Sequence, residues 1–262
     1  MRVWVTAERR VDVQVRYMEE RGAEVLTSPL IRTLDDTSGA ECAAIAEQLI
    51  ANPPAVLIAQ TGQGLQWWTD RLEPTRRIEF LNAISDVSVW SRGAKATSRS
   101  RLLGLQVDWQ SPNESATAIA ARCRLLSPNT RVAVQLVGTV NDIVLDALHE
   151  VEAEVISLRV YRYALPTDHT RCFELISEVI AGRVDAITFT ASPAIQNLRA
   201  IAEAVGLRDR LDHALSSHCL PVVVGPVCST TAADAGWKGI VEPEKARLIP
   251  MLDALTTALV ER

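Results

Sequence analysis

The sequence has little of what marks a membrane protein, a disulfide scaffold or a metalloprotein. No apolar run approaches the ~18 residues that a membrane-spanning helix needs. The five cysteines, Cys42, Cys123, Cys172, Cys219 and Cys228, are odd in number, widely spaced and without a CxxC pair, which suits reduced thiols in a reducing compartment. There are four histidines, His149, His169, His213 and His218. His169 and Cys172 would share a helix face and His218 adjoins Cys219, but neither arrangement completes a zinc set of the usual spacing. No metal is therefore expected. Basic charge is also scarce. Lys plus Arg is 27 against 32 Asp plus Glu, a net charge of -5 with no basic tail, which argues against a nucleic-acid partner. Met1 to Arg10 runs straight into an alternating apolar stretch and then charges, which is not a signal-peptide pattern. These absences together point to the cytoplasm.

What remains is an ordinary globular composition, 48% hydrophobic and 23% charged over 262 residues. At roughly 100–200 residues per domain, this suggests one large or two small domains. Short β-branched runs alternate with longer helical stretches. Val3 to Val5 reads as a strand, Glu8 to Arg21 as a helix ended by Gly22, and Glu24 to Leu26 as a second strand. Ser38 caps a helix to Ala51, and Ala55 to Ala59 is an apolar strand core. A helix after Gly62 follows, then a strand at Val87 to Trp90 and a helix from about Ala94 that Gly104 ends. A short strand near Leu105 to Trp109 leads to a helix capped by Asn113 or Ser115. The pattern then restarts. Arg131 to Val137 is a strand, Asp142 to Glu150 a helix, and Glu154 to Tyr163 one long strand. Asp168 to Ala181, Pro193 to Val205 and Cys228 to Ala235 read as helices. Ala186 to Thr190, Leu220 to Val224 and Gly239 to Val241 read as strands, and the last helix spans about Glu244 to Val260. Alternation of this kind means βαβ units and parallel sheets buried on both faces.

The restart is an internal repeat. LIAQTGQGL from Leu57 is echoed by ITFTASPAI from Ile187. VSVWSRGAKATSRSRLLG from Val87 is echoed by VVVGPVCSTTAADAG from Val222, and RVWVTAERR by RVAVQLVGT. Two similar α/β domains follow, with a cleft between them. Open α/β sheets bind ligands beyond the carboxyl ends of their strands, so function should lie in the loops there. Those loops hold Thr6, Arg9 and Arg10; Thr61, Gly62 and Gln63; Arg92, Gly93 and Lys95; Gly138; Thr190 and Ser192; Gly225, Cys228 and Ser229. They contain no Asp–His pairing and no carboxylate pair facing a nucleophile. Each opens a helix, so backbone N–H groups and a positive helix end suit an anion. Singly, each Ser or Thr reads equally as a helix cap, and Arg92 and Lys95 as surface cations. Gly62-Gln63-Gly64 follows a strand but lacks the third glycine of a dinucleotide fingerprint, that position being Trp67, so no nicotinamide is expected.

The ordered series VTAERR, MEERGAEVLTSPLIRTL, AVLIAQTGQGLQWW, SRGAKATSRSRLLGLQVDW, RVAVQLVGTVNDIVLDALHEVEAEVISLRVYRYALP, GRVDAITFTASPAIQNL and VVVGPVCSTTAADAG resembles the actinobacterial branch of the uroporphyrinogen-III synthase family. The likeness runs from about Val3 to Leu259. It implies an α/β fold of two flavodoxin-like parallel-sheet domains joined by a two-stranded β linker. One domain would be 1–34 with 165–262 and the other 35–164, with linker strands at about 28–35 and 158–164. Implied too is the family's activity, a cofactor-independent lyase of porphyrin biosynthesis. It closes hydroxymethylbilane, a linear tetrapyrrole with eight carboxylates, into uroporphyrinogen III, inverting ring D and losing water. The loop residues above would bind this small molecule in a monomeric enzyme, and Tyr161 would be the general acid; Tyr161 also reads as linker packing. Three features depart from the family. Ala191 stands where a serine is common and Cys228 where a threonine is. Many relatives of this branch continue, after the point reached by Arg262, into a winged-helix DNA-binding domain. The alternative is thus a non-catalytic tetrapyrrole- or anion-sensing module normally fused to such a domain.

Overall fold

The structure, a computed structural model, describes residues 1–137 and 142–261. The chain forms two units. The first comprises Met1–Thr33 with Tyr163–Arg262, and the second Leu34–Arg162. The first begins with β1 (Arg2–Val5), α1 (Val11–Glu19) and β2 (Glu24–Thr27), and β3 (Arg32–Asp35) carries the chain into the second. There follow α2 (Gly39–Ala51), β4 (Val56–Ala59), α3 (Gly62–Asp70), α4 (Pro74–Ala83), β5 (Ser88–Ser91), α5 (Ala94–Leu102) and β6 (Val107–Gln110). Then come α6 (Ala116–Cys123), β7 (Arg131–Leu136), α7 (Ile143–Glu150) and β8 (Glu154–Arg159). Strand β9 (Tyr161–Ala164) returns the chain to the first unit, which ends with α8 (Thr170–Ile180), β10 (Ala186–Phe189), α9 (Ser192–Ala204), α10 (Arg208–Ser217), β11 (Leu220–Val223), α11 (Pro226–Asp234) and α12 (Leu248–Val260).

Each unit is a parallel sheet flanked by helices. The first has strand order β11-β10-β1-β2, and the second β6-β5-β4-β7-β8; β3 and β9 pair as a separate two-stranded sheet. The repeat seen in the sequence maps onto these orders, β1 matching β7, β10 matching β4, and β11 matching β5. The central strands are apolar throughout because both faces are covered: VLIA in β4 and AITF in β10 are buried at every position. Side chains alternate between the faces with the period of the pleat. In the first unit Trp4 joins Ile187, Leu198 and Ile176 on one face, while Val3 joins Met18, Val222 and Met251 on the other. In the second, Val56, Ile58, Val132 and Val134 pack with Ile119 and Leu148.

Local signals set several boundaries. Ser38 Oγ accepts from Glu41 N–H at 3.2 Å, and Ser115 Oγ from Ala118 N–H at 3.1 Å. Gly22 and Gly104 end helices at φ +79° and +81°, where a Cβ is costly. The structure corrects other expectations. The single strand expected over Glu154 to Tyr163 breaks at Val160, where the chain leaves the five-stranded sheet for the pairing with β3. Helix α1 starts at Val11 rather than Glu8, because Arg10 is left-handed. Helix α12 starts at Leu248 rather than Glu244, which puts Pro250 in the first turn, where its missing N–H costs no intrahelical bond. Gly239 to Val241 contributes only a bridge between Val222 and Val241. No helix among the described residues is long and apolar enough to cross a membrane.

All five cysteines are buried thiols. Burial pushes the Cys123 thiol up to about 12, and desolvation likewise raises Cys42 and Cys172. The thiolate is the reacting species, so the native protein should consume well under one equivalent of an aromatic disulfide reagent at pH 8 within minutes, against five after denaturation. Rapid reaction of one thiol in the folded state would contradict this burial.

Candidate functional site

The loops nominated from the sequence fall into one cluster per unit, each at the carboxyl ends of adjacent parallel strands. In the second unit β4 and β5 are neighbours, and Arg92 N–H donates to Ala59 O at 3.0 Å. This brings Thr61, Gly62 and Gln63 beside Arg92, Gly93 and Lys95. The starts of α3 and α5 approach so closely that a Cβ on Gly62 would overlap the Lys95 carbonyl oxygen and lie 3.2 Å from Arg99 Cβ. Arg92, Lys95 and Arg99 make no ion pair among the described residues. By contrast Arg71, Arg76, Arg77, Arg124 and Arg162 of the same unit all do. Three cations without an ion pair among the described residues thus sit on and beside α5.

Thr61 is the hub of this cluster. Its Oγ1 accepts from Gly64 N–H at 3.0 Å, which caps α3, and from the Tyr161 hydroxyl at 3.2 Å. It donates to Gln135 Oε1 at 3.4 Å, and the Thr61 N–H reaches the same oxygen at 2.9 Å. One donor and two acceptor positions of the hydroxyl are thereby all used. Gln135 is wholly buried. Tyr161 is 1% exposed, and its ring lies edge-on to Trp67 with centroids 5.4 Å apart. The expected general acid and the expected anion loop are therefore joined directly. Neither Gln135 nor Trp67 is among the site residues read from the sequence, where Trp67 figures only as the position lacking a third glycine.

The N-terminus of α5 is already held by a carboxylate. Glu114 Oε1 accepts from Ala94 N–H at 3.0 Å, and Glu114 Cδ lies 2.7 Å from where a Cβ on Gly93 would sit. Glu114 is itself left-handed at φ 55°, held in a turn where Ser111 and Asn113 bond Ser115. The loop that sequence reasoning reserved for a ligand's carboxylate thus has an internal occupant.

In the first unit the nominated residues are more unequal. Thr6 is buried and its hydroxyl donates to Thr188 O at 2.6 Å, while Thr188 Oγ1 donates to Gln14 Oε1 at 3.3 Å. Cys228 is 4% exposed and packs in the core rather than lining the loop. Arg9 and Arg10 are exposed, and Thr190, Ser192 and Ser229 half-buried. Ala191 and Gly225 occupy the N-caps of α9 and α11, and neither helix start carries a side-chain cap. At Gly225 a Cβ would meet Ala246 Cβ at 2.7 Å. Gly138 lies outside the described residues. Among those described, no three His, Cys, Asp or Glu side chains are grouped to hold a metal ion.

Known proteins share this architecture. A mutant uroporphyrinogen III synthase from Thermus thermophilus superposes over 100% of both chains with a TM-score of 0.81 at 23% identity. A uroporphyrinogen-III synthetase from Helicobacter pylori does so over 100% of both with a TM-score of 0.53 at 14% identity. Among curated sequences, the "Uncharacterized protein YjjA" of Bacillus subtilis is 25% identical over 211 residues, 79% of this chain and 77% of its own length. The family model described as uroporphyrinogen-III synthase HemD matches residues 12–253. The chain therefore belongs to the uroporphyrinogen-III synthase family.

Proposed function

We propose that the protein is a catalytically active uroporphyrinogen-III synthase. It takes the linear tetrapyrrole hydroxymethylbilane and closes it to uroporphyrinogen III, inverting ring D and releasing one water. The observation that carries the proposal is the hydrogen bond from Tyr161 to Thr61, which joins a phenol to the loop expected to bind an anion. Arg92, Lys95 and Arg99, which make no ion pair among the described residues, suit a substrate with eight carboxylates, even on a chain of net charge -5. Tyr161 would give its proton to the departing hydroxyl, which leaves as water while a pyrrole nitrogen lone pair forms the azafulvene. Attack through a spiro intermediate and ring closure then follow, and the protein's main contribution is to hold a flexible chain in the fold that favours the inverted product. On this proposal the protein works in the cytoplasm as a monomer, without metal or organic cofactor.

The test is incubation with freshly generated hydroxymethylbilane and separation of the isomers. Isomer III in large excess over the spontaneously formed isomer I supports the proposal. Isomer I alone, with tight product binding retained, supports the sensing module, which the absence of a hydroxyl at Ala191 favours. Lys95→Ala or Arg92→Ala should weaken product binding, followed by fluorescence, by about 1–2 kcal/mol each, because the backbone amides stay in place when one cation is lost. Unchanged affinity in both variants would put the ligand elsewhere.

A further inference from the structure

We propose that Trp67 is a positioning residue for Tyr161, its ring edge helping to fix the phenol alongside the hydrogen bond to Thr61. The inference rests on the role given to Tyr161 above. A hydrogen bond to Thr61 at 3.2 Å holds one atom of the side chain. The edge-on Trp67 ring, 5.4 Å away with an interplanar angle of 68°, supplies a further constraint.

Trp67 is itself held from behind. Arg71 Cζ lies 5.2 Å from its ring centroid, Arg71 Nη1 donates to Trp67 O at 3.1 Å, and Arg71 Nη2 pairs with Asp35 Oδ1 at 2.6 Å. Asp35 ends β3, and Tyr161 opens β9, the strand paired with β3. The contacts thus close a ring: β3, Asp35, Arg71, Trp67, Tyr161, β9. The neighbouring Trp68 shows what an ordinary core tryptophan does in the same helix. It is 1% exposed, stacks on Phe80 at 4.9 Å and donates its indole N–H to Cys42 O at 3.2 Å. Trp67 is only half-buried, and its partners lead to the phenol. The two adjacent tryptophans therefore divide the work, Trp68 building the core and Trp67 setting the hydroxyl.

The experiment compares Trp67→Ala, Trp67→Phe, Tyr161→Phe and the Trp67→Ala/Tyr161→Phe double variant. Turnover, KM and the III:I isomer ratio are measured, together with ring-labelled tyrosine NMR, which has only three signals to assign, from Tyr17, Tyr161 and Tyr163. Trp67→Ala should lower kcat about tenfold with KM within about twofold, and displace or broaden the Tyr161 signal. Trp67→Phe, which keeps a ring edge, should recover kcat to within about twofold of the parent. In the Tyr161→Phe background, Trp67→Ala should cost nothing further, because the effect passes through the phenol. Trp67→Leu carries the same expectation as Trp67→Ala should the alanine variant fail to fold. An unchanged kcat in Trp67→Ala, or an equal loss with and without Tyr161, overturns the inference while a slow Tyr161→Phe keeps the phenol's role intact. A fully active Tyr161→Phe removes both.

Discussion

Gly62→Ala is expected to lower the unfolding free energy by about 2–3 kcal/mol, the upper part of the range for forcing extra carbon into a packed contact. The backbone at Gly62 has an ordinary negative φ, so strain is not the cause. The added carbon would run into the carbonyl oxygen of Lys95, with the Lys95 carbonyl carbon at 3.0 Å and Arg99 Cβ at 3.2 Å. A backbone oxygen cannot rotate aside as a side chain does, so α3 and α5 would have to separate and the Thr61 cap with them. Gly104→Ala is the control. Nothing lies within 4 Å of a Cβ there, but φ is +81°, so the cost should be about 1–2 kcal/mol of left-handed backbone alone. Urea denaturation separates the two, with a shifted midpoint and unchanged slope in each case. A Gly62→Ala protein as stable as its parent would mean that the two helix starts stand further apart. At Gly62 and Gly93 the missing side chain leaves space for the Lys95 carbonyl and the Glu114 carboxylate.

Tyr161→Phe is expected to reduce the rate of isomer III formation by about 100-fold, the lower end of what a positioned general acid contributes. The change removes one oxygen and keeps the ring, so the edge-on contact with Trp67 survives. The lost bond to Thr61 should cost only about 1 kcal/mol of stability, since the Thr61 hydroxyl keeps Gly64 and Gln135 as partners. Product affinity should change little, because the hydroxyl serves the leaving group rather than the carboxylates. The check is a parallel measurement of single-turnover rate, product titration and urea midpoint. Retention of full rate would reduce Tyr161 to a packing residue of the linker strand.

The fold was legible where the information is local. Apolar runs such as Val56–Ala59 and Ala186–Phe189, caps such as Ser38 and Ser115, and the glycines after α1 and α5 all act within a few residues of themselves. Helices α4 and α10 were missed because PTRRIEFLNA and RDRLDHALSS are dense in charge and show only a narrow apolar stripe. The break at Val160 was invisible because VISLRVYRY carries β-branched or aromatic residues on both sides of it and no glycine or proline; what interrupts it is a change of pairing partner. The candidate site was legible as a set of loops and not as a network. Thr61 and Tyr161 are 100 residues apart, and Glu114 reaches Ala94 across 20. A glutamate in a polar turn carries no sign that its carboxylate will sit on a distant helix start. The burial of Cys228 was hidden for the same reason. Its position in the loop motif is plain, but that Cys228 faces the core, as Ala232 does one turn on, is set by packing against the rest of that unit.

The strand order carries a consequence for how the protein is made. The second unit is one continuous stretch, Leu34–Arg162, so its five strands are all available once that stretch leaves the ribosome. The first unit is split around it. Strand β1 needs β10 as its inner neighbour, with Val3 opposite Ala186, and β10 is synthesised only after the whole inserted unit. Until then Val3, Trp4 and Val5, fully buried in the finished protein, have β2 on one side and an open, apolar edge on the other. Assembly is therefore ordered by the chain itself, with the inserted unit closing first and the opening strand waiting longest for its partner.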